Sequence, residues 1–266
     1  MPHADLKDVC LHYQLEGDPE RPLLVLSNSL GTDLGLWDNM VPALGSHFRL
    51  LRYDTRGHGL SSVPPGPWTI ETLGRDVIHL LDHLGIGRCV FCGISVGGMT
   101  GMWLGAQSPE RIEKLVLVNT AAQIGTQESW RERIRRVETE GVESIASGTV
   151  DRWLTPEFRR TNPGEAARMR EMLVRTPAAG YARCAAAIRD ANLTGDLPRI
   201  AAPALIVASS HDPAIPLEDA HRVHEGIAGS RFVALPAAHL SPVELPAAFS
   251  AAAISFLECQ EVSADG

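Results

Sequence analysis

Gly93-Ile94-Ser95-Val96-Gly97 lies directly between the apolar run RCVFC and the helix-compatible stretch GGMTGMWLGAQ. A serine flanked by glycines at such a junction predicts a sharp strand-to-helix turn that lifts the hydroxyl clear of the sheet, where side chains at the glycine positions would collide with neighbouring backbone. The helix that follows aims its positive amino end at the site, where an oxyanion would form. A buried strand, an elbow and a helix in immediate succession restrict the chain to α/β architectures.

The rest of the sequence agrees. Residues 9–15 (VCLHYQL) alternate as a half-buried strand does, and GDPERP at 17–22 is turn chemistry. Leu23–Leu26, Phe48–Tyr53, Cys89–Cys92, Leu115–Val118, Ala204–Ala208 and Phe232–Leu235 are short apolar runs of the kind that form strands buried on both faces. Between them lie stretches of helical period such as Ile70–Leu84, with Leu73, Val77, Leu80, Leu81 and Leu84 on one face. Strand and helix in repeated alternation predict a parallel sheet covered by helices. The alternation breaks from about Gly125 to Gly195, where charged helical segments at 129–140 and 164–175 predict a helical insertion, or lid. An alanine-rich last helix is expected around Ala247–Ala253.

Charge bounds the partners. The 266 residues carry 24 Lys+Arg against 32 Asp+Glu, a net charge of −8, which leaves no basic footprint for nucleic acid. No apolar run approaches the roughly 18 residues that a membrane span needs, and MPHADLKDVC has no signal-peptide pattern. A soluble, cytoplasmic protein with no membrane association is expected, its five cysteines reduced. Cys89 and Cys92 fall within one buried strand and read as packed thiols, not a redox pair, and His79 and His83 lack a third ligand for zinc, so no metal and no cofactor are expected. The insertion at 125–195 holds 12 Arg against 10 acidic residues, while the remainder holds 12 basic and 22 acidic ones. This pattern suits a solvated helical surface first, and as the sharper alternative a lid that attracts an anionic substrate.

Serine needs a base, and His239 lies in Pro236-Ala237-Ala238-His239, a small-residue loop just beyond the last strand, where parallel sheets build their sites. The base needs an acid to fix its tautomer. Asp212 follows the strand ALIVA, whereas its competitor Asp219 lies in an apparent helix opening beyond Pro216. The chain order Ser95, Asp212, His239 is that of the α/β-hydrolase arrangement. The oxyanion hole takes one amide from Val96, after the nucleophile, and a second is assigned to Leu30 in the loop Ser27-Asn28-Ser29-Leu30-Gly31.

With these residues in view, the sequence resembles the α/β-hydrolase superfamily, and within it the 3-oxoadipate enol-lactonase family. DTRGHGLS at 54–61, the elbow at 93–97, Asp212 with Pro216, and His239 carry the wider likeness. SNSLGTDLGLW at 27–37, NTAAQIGTQESW at 119–130, RWLTPEFR at 152–159 and CAAAIRDANL at 184–193 carry the narrower one. Asn28-Ser29 stands where a His-Gly pair is common in the superfamily, a feature shared by these lactonases. The resemblance implies a mostly parallel eight-stranded sheet flanked by helices, with residues 1–124 and 196–266 as the core and 125–195 as a helical lid between strands 6 and 7.

It also implies a substrate, a small anionic enol-lactone with an acetate arm, hydrolysed in the β-ketoadipate pathway. On a helix starting near Gln127, Trp130, Arg133, Ile134 and Val137 share one face, while Arg131 and Arg135 point elsewhere. Arg133 is then the expected carboxylate clamp, or an arginine snorkelling at the rim, with Trp130 and Trp153 as apolar walls. Arg56 is an outside candidate for the same carboxylate. A broader esterase, a carbon–carbon bond hydrolase, a perhydrolase and a non-enzymatic ligand receptor remain open on the same fold.

Overall fold

The computed structural model describes residues 2–259. Eight strands, β1 (His3–Asp5), β2 (Cys10–Glu16), β3 (Leu23–Ser27), β4 (Arg49–Tyr53), β5 (Cys89–Ile94), β6 (Ile112–Val118), β7 (Ala204–Ser209) and β8 (Arg231–Leu235), form one sheet in the order β1-β2-β4-β3-β5-β6-β7-β8. The β1–β2 and β2–β4 pairings are antiparallel, and the other five are parallel. The alternating segment at 9–15 and the six apolar runs of the sequence mark seven of these strands. β1 has only three residues, too few to show a period, and it forms by pairing with Cys10–His12.

Burial explains the strand types. β5 and β7 are buried at every position, as strands covered by helices on both faces must be, whereas the edge strand β8 is only partly buried. Cys89 and Cys92 lie inside β5, and burial pushes the Cys89 thiol up to about 12, far from the range of a reactive thiolate.

The α-helices are α1 (Val41–Leu44), α2 (Ile70–His83), α3 (Val96–Gln107), α4 (Gln127–Glu140), α5 (Ala146–Trp153), α6 (Pro156–Thr161), α7 (Pro163–Arg175), α8 (Ala178–Asp190), α9 (Leu217–Gly226), α10 (Ser241–Glu244) and α11 (Pro246–Glu258). α2 begins in a capping box between Thr69 and Thr72 and buries Leu73, Val77, Leu80 and Leu81. It stops at His83, one residue short of its apolar face, because Leu84 caps it and Gly85 turns left-handed (φ 68°).

Helices α4–α8 fill the chain between β6 and β7. Their apolar faces, which include Val137, Leu173, Tyr181 and Ile188, are buried within the same core as the sheet. α8 sits down onto the turn after β4 at Gly180, where a Cβ would strike the carbonyl oxygen of Gly57. Among the described residues no helix is long and apolar enough to cross a membrane.

The register sets where the site can be. Ile94 pairs with Val118, Val118 with Val207, and Ser209 with Leu235. The carboxyl ends of β5, β6, β7 and β8 are therefore level, and the residues that follow them, Ser95, Asn119, Asp212 and His239, emerge along one edge under α4–α8.

Candidate active site

Ser95 occupies φ 58°, ψ −118°, a conformation that L-residues adopt only when the surroundings impose it. The surroundings do so. Its N–H donates to the Val118 carbonyl (2.9 Å), and its carbonyl accepts from Thr120 Oγ1 (2.7 Å). A Cβ on Gly97 would lie 2.6 Å from the Ser27 carbonyl oxygen, and one on Gly93 would meet the Gly97 carbonyl. Both glycines are thus required by contact, and α3 starts at Val96 immediately beyond the serine.

His239 and Asp212 are joined at 2.7 Å between Nδ1 and Oδ2. An ionised carboxylate can only accept, so Nδ1 carries the proton and Nε2 is left as a base. The other carboxylate oxygen, Oδ1, accepts from the Ala214 and Ile215 amides (2.7 and 3.1 Å), which fixes the plane of the acid. Asp219 is engaged instead with Arg222 on the first turn of α9. His239 Nε2 lies 3.5 Å from Ser29 Oγ, and Ser29, Leu30, Ser95 and His239 line one cavity of about 370 Å³. The loop that carries Leu30 is held by Asn28, whose amide donates to the Tyr53 carbonyl (2.7 Å) and accepts from Trp37 Nε1 (2.9 Å).

The opposite wall of this cavity comes from α4, α5 and α8. Trp130, Arg133 and Trp153 all line it. Arg133 donates from Nε to the Tyr181 hydroxyl and from Nη2 to Thr149 Oγ1, both at 2.7 Å, with its guanidinium carbon 5.7 Å from the centres of the Trp130 and Tyr181 rings. Arg131 and Arg135 are spent on Gln127 and Glu132 along α4. Arg56 is not near this wall. It forms a buried two-pronged pair with Asp76 and stacks on Trp68, so its charge serves the core and the outside assignment to a substrate carboxylate fails.

Among the cavity residues that sequence reasoning missed are Arg152, Thr149 and Tyr181. Thr149 and Arg152 lie three apart on the eight-residue helix α5, too short for a periodic pattern to be read. Tyr181 stands in an alanine-rich stretch that reads as mere packing. Asn119 also escaped, and its signal was weak: a residue tolerant of left-handed backbone, here φ 41°, immediately after a strand.

The chain matches the family model for the alpha/beta hydrolase fold over residues 22–244. It is 42% identical to 3-oxoadipate enol-lactonase 2 of Acinetobacter baylyi, over 92% of this chain and 91% of that protein. Identity to 3-oxoadipate enol-lactonase 1 of the same organism is 39%, covering 90% of each. In three dimensions it superposes on the crystal structure of the enol-lactonase from Burkholderia xenovorans LB400 with a TM-score of 0.95 at 43% identity, covering 96% of this chain and 99% of that one.

Proposed function

Because this chain belongs to the alpha/beta hydrolase family, and within it to the 3-oxoadipate enol-lactonases that it matches along nearly its whole length, we propose that it hydrolyses 3-oxoadipate enol-lactone to 3-oxoadipate in the cytoplasm, with Ser95 as nucleophile, His239 as base and Asp212 as its acid partner. The observation that carries the reading is the two-sided cavity, in which Ser95 and His239 face an aromatic and cationic wall holding Trp130, Trp153 and Arg133. Such a cavity suits a small ring bearing a carboxylate arm, with helices α4–α8 acting as a lid.

In the first step His239 Nε2 takes the Ser95 hydroxyl proton as Oγ attacks the lactone carbonyl carbon. The oxyanion rests against the Leu30 and Val96 amides, which stabilise charge that the ground state lacks. Collapse breaks the ring carbon–oxygen bond and expels an enolate, which takes the proton back from His239 and becomes the ketone by tautomerisation. Water, deprotonated by His239, then attacks the acyl carbon. Collapse of this second intermediate breaks the ester bond to Ser95, His239 returns the proton to Ser95 Oγ, and the product leaves with a second carboxylate. An enolate is a better leaving group than an alkoxide, so deacylation is expected to limit turnover and product to appear as a burst.

Steady-state hydrolysis of the enol-lactone beside a neutral ester of similar size tests the reading, with Ser95→Ala as blank. Strong preference for the anionic lactone, abolished by Ser95→Ala and weakened by Arg133→Ala through KM, supports it. Equal or faster turnover of the neutral ester would mean the right fold with another substrate.

A further inference from the structure

Arg133 and Arg152 converge. Both donate to one oxygen, Thr149 Oγ1, Arg133 from Nη2 at 2.7 Å and Arg152 from Nη2 at 3.2 Å. The Thr149 hydroxyl in turn donates to the Ile145 carbonyl (2.8 Å), which leaves its oxygen facing the two cations as a pure acceptor. Neither guanidinium has a carboxylate partner among the described residues, and both line the cavity that holds Ser95 and His239. They also line a second, outer cavity of about 430 Å³ between α4 and α5, so the pair forms a partition between the reaction chamber and the exterior.

Two like charges on one hydroxyl cost energy unless something anionic joins them. Burial, and then the charge of Arg133, disfavours the Arg152 cation in this setting. A guanidinium has five N–H groups; Arg133 spends two on protein partners here and Arg152 one, so donors remain on both for a planar two-oxygen acceptor. Arg133 is held rigid between the Trp130 and Tyr181 rings, which reduces the ordering entropy of capture.

We infer that Arg152 is the second arm of an anion clamp, and that Arg133 and Arg152, joined through Thr149, hold the carboxylate of the substrate between them. The inference rests on the proposed lactone hydrolysis, and it adds a coupling to it. The backbone carbonyl of Arg152 accepts the His239 N–H (3.4 Å), and that of Trp153 accepts the Leu240 N–H (2.9 Å). The carboxyl end of α5 thus ties the clamp to the loop of the base, so a carboxylate seated on Arg152 sets the position of the lactone ring against His239. Arg152 is a specificity-determining residue, and it takes no part in the proton transfers.

The experiment compares ring opening of the enol-lactone with that of the same lactone whose arm is methyl-esterified, in the wild type, Arg152→Met and Arg152→Lys. Arg152→Met is expected to raise KM for the free-acid lactone by roughly 10–100-fold, the range for one charge-assisted contact. The loss on the free acid should exceed the loss on the methyl ester at least about tenfold, with Arg152→Lys recovering part of the difference. Succinate should quench Trp fluorescence of the Ser95→Ala enzyme, and should do so more weakly when Arg152→Met is added. Equal losses on both lactones, with undiminished succinate binding, would overturn the clamp and make Arg152 a packing residue. A wild type without preference between the two lactones would refute the substrate assignment itself, before any Arg152 variant is compared. Should Arg152→Met fail to fold, Arg152→Lys decides: a selective rise in KM for the free acid supports the clamp, and identical constants for both lactones refute it.

Discussion

The side-chain amide of Asn119 donates to the backbone carbonyl of His239 across 2.6 Å, and also reaches Ser241 Oγ at 3.1 Å. It does so from the end of β6 in a left-handed conformation, φ 41°, buried and with its Oδ1 lacking a partner. The loop that bears the base is thereby fixed from the strand beside it, independently of Asp212. Asn119→Gly keeps the backbone conformation and removes the amide. It is expected to lower kcat by roughly 10-fold or more with little change in KM, since a buried hydrogen bond is worth about 1–3 kcal/mol once one partner is left unsatisfied. Asn119→Asp should be worse, because a carboxylate would face carbonyl oxygens. If both variants match the wild type in kcat, the loop is held by Asp212, α10 and the carboxyl end of α5 without help from Asn119.

Asp212 orients the imidazole through Nδ1, so Asp212→Asn should leave the fold intact, keeping a hydrogen bond but favouring the wrong tautomer. A fall in kcat of about 10⁴ is expected at neutral pH. Circular dichroism should be unchanged, whereas a loss of only a few-fold would show that His239 does not depend on this acid.

Much of this site is written in local sequence. The elbow at Ser95, the loop of His239 and the acid at Asp212 each sit at the end of a strand whose apolar run is readable, and the level register of β5 to β8 brings them together. Arg133 was readable from the helical period of α4. Arg152, Tyr181 and Asn119 were not, because their roles come from contacts between elements far apart in the chain: Tyr181 with Arg133 across 48 residues and Asn119 with His239 across 120. β1 stayed hidden for a different reason, since three residues cannot show a period.

His58 gives the fold an acid limit. It is buried beside Asp54, its Nδ1 donates to the Arg56 carbonyl (3.1 Å), and its Nε2 has no partner. Burial lowers its proton affinity below the ordinary 6.5, against weaker upward pulls from that hydrogen bond and from Asp54. The unfolded chain then binds a proton that the folded chain refuses, so stability is fully present above pH 6.5 and falls as pH drops from there toward the folded value. His58→Gln retains a donor without the titration. In urea melts from pH 7.5 to 5, the wild type should lose stability more steeply than this variant, and parallel curves would clear His58 of the effect.

Arg56 separates a structural cation from a functional one. Its pairing with Asp76 is two-pronged and nearly closed to water, and burial pushes the Asp76 carboxyl up despite the pull of the arginine. A pair so deeply desolvated gains little net stability, yet removing one partner strands the other charge at a cost of about 3–5 kcal/mol. Arg56→Met should therefore lower the urea midpoint sharply, and the double variant with Asp76→Leu should recover much of the loss. KM for the anionic lactone should stay at the wild-type value in the double variant, because Arg56 lies outside the cavity wall built by Arg133 and Arg152. A selective rise in KM there would return Arg56 to the substrate site and count against the two-arginine clamp.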